Sequence, residues 1–204
     1  MDTEKIANKM VELGQLSLLF ARVNRATYHE DGVTQESDSD HTVMLGVCAC
    51  AFASEYDKSL DLGKVAHFAF IHDLVEAYAG DTNSLGMVED VKKVKEEREH
   101  DAFLRIKKEF ENIFPWIHST IEAYESLGSK EAKFIKAFDK IMPKVTQVLN
   151  QGTQFRALNR KKEELEAIHQ KQLVEMSQGY AQELKTTLDL LSMMMKKAES
   201  TLIV

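Results

Sequence analysis

Apolar residues in this 204-residue chain recur three and four positions apart over most of its length and nowhere alternate. That is the period of amphipathic helices, not of strands. Pro115 and Pro143 are the only prolines, so long uninterrupted helices are permitted. The spacing predicts an all-α fold. A first helix is expected from about Thr3 to Thr27, with Ile6, Met10, Leu13, Leu16, Phe20 and Val23 on one face. Residues 28–36 are polar and glycine-bearing and read as a loop. Ser37-Asp38-Ser39-Asp40 offers N-caps for a helix to about Tyr56, and Ser59-Leu60-Asp61 starts the next. A turn cluster over Gly80–Gly86 precedes a charged helix from Glu89 to about Phe114. Shorter helices follow over about Ile117–Leu127 and Lys130–Asn150.

The last predicted helix runs from Lys161 to about Ser200, with a seam at Leu165, Ile168, Leu173, Met176, Tyr180, Leu184, Leu188, Leu191 and Met195. That seam could pack within the chain or against a second subunit. One domain over 1–204 is the simplest count, with a core of about 10–150 and a helical extension over 160–200.

A net charge of −7 disfavours a sequence-independent binder of nucleic-acid polymers, which needs a basic face. It leaves room for a small phosphorylated substrate, which needs one or two well-placed cations. Cys48 and Cys50 sit on different faces of a predicted helix and read as small buried residues. The first residues lack the basic and apolar blocks of a secretory leader, and no window is apolar enough to span a bilayer. A cytoplasmic address is the expectation.

Within this helical pattern the run from Phe68 to Asp81 stands apart. It is strongly apolar and yet carries His72, Asp73, Glu76 and Asp81. Ionisable groups buried in such a segment need ion pairs or a metal. On a continuous helix His72 and Glu76 would share a face, with Asp73 about 100° round the axis. A divalent ion could then take the imidazole and the Asp73 carboxylate, leaving Glu76 free for acid or base work.

Further ligands must come from elsewhere. His41 opens a helix just after an acidic cap, where it would sit at the mouth of a bundle. Asp139 is flanked by apolar residues at inward-facing positions. Pro143, four residues on, cannot donate to its carbonyl, so a kink is expected there. His67, His100, His118 and His169 are read as solvated or wrongly phased. His41, His72, Asp73 and Asp139 form a mixed nitrogen and oxygen set suited to one manganese, cobalt, iron, nickel or zinc ion, with positions open for water and a phosphate oxygen.

The combination Ser39-Asp40-His41, Ile71-His72-Asp73-Leu74-Val75-Glu76-Ala77, Gly80-Asp81 and Asp139 resembles the HD-domain metal-dependent phosphohydrolases. Within them it resembles the branch containing bacterial 5′-deoxynucleotidases and related small HD-domain hydrolases. The resemblance covers roughly residues 10–150. It implies a helical homodimer that removes phosphate from nucleotides, deoxynucleoside 5′-monophosphates first. By the same resemblance His41, His72, Asp73 and Asp139 are metal ligands, and Glu76 and Asp81 are the acid/base and water-positioning carboxylates. An arginine at the end of the first helix would bind phosphate: Arg25 matches best and Arg22 second. The branch often carries a tryptophan after that arginine, whereas here Tyr28 or His29 would fill the space.

Arg22, Arg25 and Lys140 are the cations expected at the pocket, few for a triphosphate. Hydrolysis of a triphosphate or another small phosphate ester is the alternative within this chemistry. A metal-dependent oxygenase and a non-catalytic, metal-stabilised dimer are alternatives outside it.

Overall fold

A computed structural model describes residues 2–82 and 89–202. It is all-α apart from one two-stranded ribbon. The first helix, α1 (Thr3–Phe20), is capped by Asp2, whose side chain accepts from the Lys5 amide. It stops seven residues earlier than its periodicity suggests. After Phe20 the chain tightens into three-residue turns and enters β1 (Asn24–Tyr28). β1 pairs antiparallel with β2 (Gln35–Ser37), so that Asn24 faces Ser37 and Tyr28 faces Gln35.

The connecting turn is set by Asp31 and Gly32. One Asp31 carboxylate oxygen accepts from the Val33 and Thr34 amides at 2.8 Å each, and Gly32 sits at φ +70°. Glycine reaches that left-handed region without the Cβ clash that penalises other residues. Arg25 therefore lies on a strand, not at a helix end.

Ser37 caps α2 (Asp38–Tyr56) through a reciprocal box with Asp40. The buried face of α2, Asp38, His41, Thr42, Leu45, Ala49 and Ala53, mixes polar residues at one end with small apolar ones at the other. Asp61 caps α3 (Leu62–Ile71) by accepting from Gly63 and Lys64. α2 and α3 pack together, and a Cβ built at Gly46 would lie 3.8 Å from that of Ala69.

The helix expected through the His-Asp run is interrupted. Beyond Ile71 the amides of Leu74, Glu76 and Ala77 donate three residues back, at 3.1, 2.8 and 3.2 Å, before α4 (Glu76–Ala79) completes one turn. In such a tightened stretch residues three apart eclipse one another. Asp73 and Glu76 therefore share a side, in place of the His72–Glu76 pairing of a regular helix. The expected turn cluster lies outside the described residues from Asn83 to Gly86.

Helices α5 (Glu89–Phe110) and α6 (Trp116–Glu125), separated by Pro115, pack against α4 and α3. The predicted 130–150 helix is two: α7 (Lys130–Asp139) and α8 (Met142–Leu149), with Pro143 in the first turn of α8. The break expected near Pro143 thus falls immediately after Asp139. Leu45, Val65, Ile106, Phe110, Ile117, Phe134 and Ile135 form the centre of the core.

The C-terminal segment also divides. After α9 (Thr153–Ala157) come α10 (Lys162–Gln178) and α11 (Lys185–Ser200), folded against each other, with α11 packed onto α7 and α8. Leu165, Met176, Leu184, Leu191 and Met195 of the expected seam are buried within the chain. No helix among the described residues is long and apolar enough to cross a membrane.

Candidate metal centre

Three breaks in helical structure bring the ionisable residues together. The N-terminal end of α2 presents His41, the end of α3 presents His72 as its C-cap with Asp73 in the following turn, and the end of α7 presents Asp139. The His41 and His72 rings lie 5.3 Å apart between centroids. One ligand atom each from His41, His72 and Asp73 lies within 4.8 Å of the others. Asp139 joins them through His41, its Oδ1 being 2.9 Å from His41 Nε2.

The hydrogen bonding of His72 suits a cation. His72 Nδ1 donates to the Ala69 carbonyl at 2.8 Å, which leaves Nε2 as the nitrogen with a lone pair. Nε2 is buried without a hydrogen bond; it lies 3.0 Å from Asp73 Oδ2, but not in hydrogen-bonding alignment. Two electron-rich atoms held that close, out of water, form a donor set that a divalent ion fits.

His41 is clamped from both sides, by Asp139 at Nε2 and by Glu36 Oε1, 3.6 Å from Nδ1. Burial lowers its pKa, but the hydrogen bond it donates to Asp139 and the Glu36 carboxylate on its other side outweigh burial and bring it up to about 9. Glu36 is itself buried and accepts from Thr27. Ligand histidines are commonly oriented by a carboxylate in this way.

Charge compensation continues outward. Arg25 Nη1 donates to Asp38 Oδ1 and Asp73 Oδ2, each at 3.1 Å. Burial opposes the charge of this guanidinium, but Asp73, Asp139, Asp81 and Asp38 more than restore it. Burial pushes the Asp73 and Asp139 carboxyls up, yet both are held well below the usual range. For Asp73 the opposing groups are His72, in its charged form, and Arg25; for Asp139 they are Lys140 and His41. Lys140 Nζ reaches Asp139 Oδ2 at 2.7 Å.

Glu76 behaves oppositely. It is 2% exposed, and burial together with Asp73, Asp38 and Asp81 pushes its pKa up to about 10. Lys95 Nζ stands 3.4 Å from Oε1, while Oε2 is buried without a partner. Burial and the neighbouring carboxylates thus favour its protonated form.

Beside the donor set lies a cavity of about 480 Å³, ample for a nucleotide-sized ligand. Asp73, Glu76, Asp81 and Asp139 line one part of its wall with Arg25, Lys95 and Lys140. Arg22, the second choice for a phosphate contact, is exposed and does not line the cavity, and neither do Tyr28 or His29. The ribbon explains this: Tyr28 gives its carbonyl to Asn150 Nδ2, and His29 sits 3.3 Å from Asp40 at the hairpin end. His169, expected in solvent, is 1% exposed and bonded to Glu199 at 2.7 Å. Glu36 faces His41, Asp38 accepts from Arg25, and Lys95 and Lys144 line the cavity; the sequence reading singled out none of these four.

The HD domain family model matches residues 21–180, more than half of the chain. The chain belongs to the HD domain family. Human 5′-deoxynucleotidase HDDC2 is 30% identical over 106 residues, covering 52% of this chain and 50% of that one. Its zebrafish counterpart is 28% identical over 137 residues, 66% of each chain. The chain thus spans about half the length of the first curated relatives it matches. Among solved structures, this HD domain resembles a predicted metal-dependent phosphohydrolase from Magnetospirillum magnetotacticum with a TM-score of 0.70 and 22% identity, over 95% of this chain and 96% of that one. It also resembles a Pyrococcus horikoshii protein with a TM-score of 0.61 and 20% identity, over 90% and 99%. Both likenesses establish the fold.

Proposed function

We propose that this HD domain is a metal-dependent phosphohydrolase that releases phosphate from nucleotides. The observation that carries the reading is the convergence of His41, His72 and Asp73 donor atoms within 4.8 Å, with Asp139 on His41, beside a cavity that Arg25 also lines. The names of the curated relatives favour deoxynucleoside 5′-monophosphates as the first class to test. A nucleotide bearing further phosphates is the second reading, favoured by cations on the cavity wall beyond Arg25 and Lys140.

His41, His72, Asp73 and Asp139 would hold one divalent ion of the manganese, cobalt, iron, nickel or zinc kind. Bound there, such an ion would neutralise phosphoryl charge and make a water molecule more acidic. The chain's own groups do the rest. Arg25 fixes Asp73 through Nη1 and offers its remaining N–H groups to non-bridging oxygens. Asp81 orients the attacking water from the cavity wall. As the water oxygen bonds to phosphorus, the bond to the 5′-oxygen breaks, and that oxygen takes the proton held on Glu76. A water proton passes to the site carboxylates, which restores Glu76 for the next turnover. The reaction is mostly positioning and charge neutralisation, so little more is needed.

The test is a phosphate-release screen of nucleoside mono-, di- and triphosphates, each with several divalent metals, using Asp73→Ala as the blank. Release by wild type alone supports the reading. Equal release by the variant, or none from any nucleotide, refutes it.

A further inference from the structure

The proposed chemistry uses only part of the cavity. Beyond Asp139 the wall is built from α8 and α10, and there Lys144 is buried at 5% exposure. Its Nζ donates to Gln172 Oε1 at 2.8 Å, and among the described residues no carboxylate pairs with it. Every other lysine or arginine on the wall has an acidic partner. Arg25 meets Asp38 and Asp73, Lys95 meets Glu99, and Lys140 meets Asp139. Arg160 and Lys171 have Glu164 and Glu175.

A buried ammonium facing only a neutral amide is an expensive feature, one that a methionine of similar length would remove. It becomes favourable when an anion arrives. The surrounding groups agree. From α7 the Lys140–Asp139 pair acts on Lys144, and from α10 Gln172 holds it. His169, also on α10, lines the same wall and is turned away by its bond to Glu199 of α11. Gln147 is committed to the Ala198 carbonyl and Thr201. Burial, with Lys140 nearby, lowers the Lys144 pKa to about 7. An incoming anion would restore its charge.

We propose that Lys144, held by Gln172 beside Lys140, receives a second phosphoryl group, so that the preferred substrate is a nucleotide carrying a phosphate in addition to the one released. This rests on the phosphohydrolase reading above. In a 5′-diphosphate the bond that breaks joins the terminal phosphorus to the bridging oxygen, which takes the Glu76 proton and stays on the retained phosphate. The outer cavity selects among nucleotides while the inner one performs the reaction.

The test has two arms on the full chain. In the first, titration calorimetry with inorganic pyrophosphate and with orthophosphate compares wild type, Lys144→Gln and Lys144→Met. Wild type should prefer pyrophosphate by about tenfold or more, the scale of one charge-assisted contact, and both variants should lose that preference. Thermal unfolding confirms that each variant is folded, and the wild-type preference is informative without them. In the second arm, the ratio of kcat/KM for deoxynucleoside 5′-diphosphates over monophosphates should fall about tenfold in Lys144→Gln, through KM.

Equal affinity of wild type for the two anions would overturn the subsite, as would folded variants that keep the preference. Phosphate release from nucleotides with no Lys144 dependence in either arm removes the subsite and leaves the reaction standing. Lys144-dependent pyrophosphate binding with no release from any nucleotide removes the reaction and leaves the subsite standing.

Discussion

His41 Nε2 and Asp139 Oδ1 lie 2.9 Å apart although 98 positions separate them in the chain. The contact joins the start of α2 to the end of α7. The His41 ring in turn lies 5.3 Å from that of His72 between centroids. Glu36 completes the clamp on His41. Glu36→Gln should therefore weaken divalent-metal affinity by about 10–100-fold, the usual effect of removing a carboxylate behind a ligand histidine. Competition of the protein with a chromogenic chelator would measure it. Unchanged affinity would mean that Glu36 does not orient the ring.

Glu76 separates ion binding from turnover. It sits beside the donor set with its carboxyl pushed up to about 10 by burial and by neighbouring carboxylates. Glu76→Ala should leave the ion bound and slow phosphate release by about 10²–10⁴-fold, the range for an acid/base group. Metal content by elemental analysis and single-turnover rates on the same sample give both numbers. Loss of the ion in this variant would make Glu76 a ligand.

Lys144 predicts a pH dependence of stability. Its pKa falls from 10.5 to about 7 on folding because burial disfavours the charged ammonium. Between those values the unfolded chain binds more protons than the folded one, so this group makes stability rise with pH from about 7 to about 10.5. Glu76, whose carboxyl is pushed the other way, gives a slope of opposite sign over an overlapping range. The clean observable is thus the difference between wild type and Lys144→Met. Denaturant midpoints across this range should rise more steeply, or fall less, in wild type. Parallel profiles would show that Lys144 is ordinarily solvated.

The ribbon that carries Arg25 depends on its turn. Gly32 is at φ +70°, and a Cβ there would come within 2.8 Å of Thr153 Oγ1, which donates to the Asn150 carbonyl. Gly32→Ala should cost more than about 1 kcal/mol by urea unfolding, from backbone strain and this contact together. A neutral result would show that the hairpin shifts freely.

What the sequence revealed and what it concealed divide along physical lines. Capping residues and helical periodicity located α2, α5, α6 and the start of α3 closely, and the residues of the proposed metal set stood out as ionisable groups beside apolar runs. The ribbon was hidden because β1 is short and half-buried, without a clean alternation. Asp31-Gly32, the turn signal that could have revealed it, lay inside a stretch that reads as polar loop. The break after Ile71 was hidden because nothing in the local sequence forbids a helix there; the tightening is visible only in which carbonyls the amides choose. The C-terminal helix pair was read as one because Gly179 alone marks the fold-back. Lys144 and His169 were passed over for a related reason. Each lies in a polar stretch, and their burial comes from α8, α10 and α11 closing on one another.

The central claim is that His41, His72, Asp73 and Asp139 hold one cation. Equilibrium dialysis of the metal-stripped chain against manganese, wild type beside His72→Ala, tests it directly. The account predicts one ion per wild-type chain and none retained by the variant at the same free concentration. Equal binding by both, or no saturable binding by wild type, would contradict it.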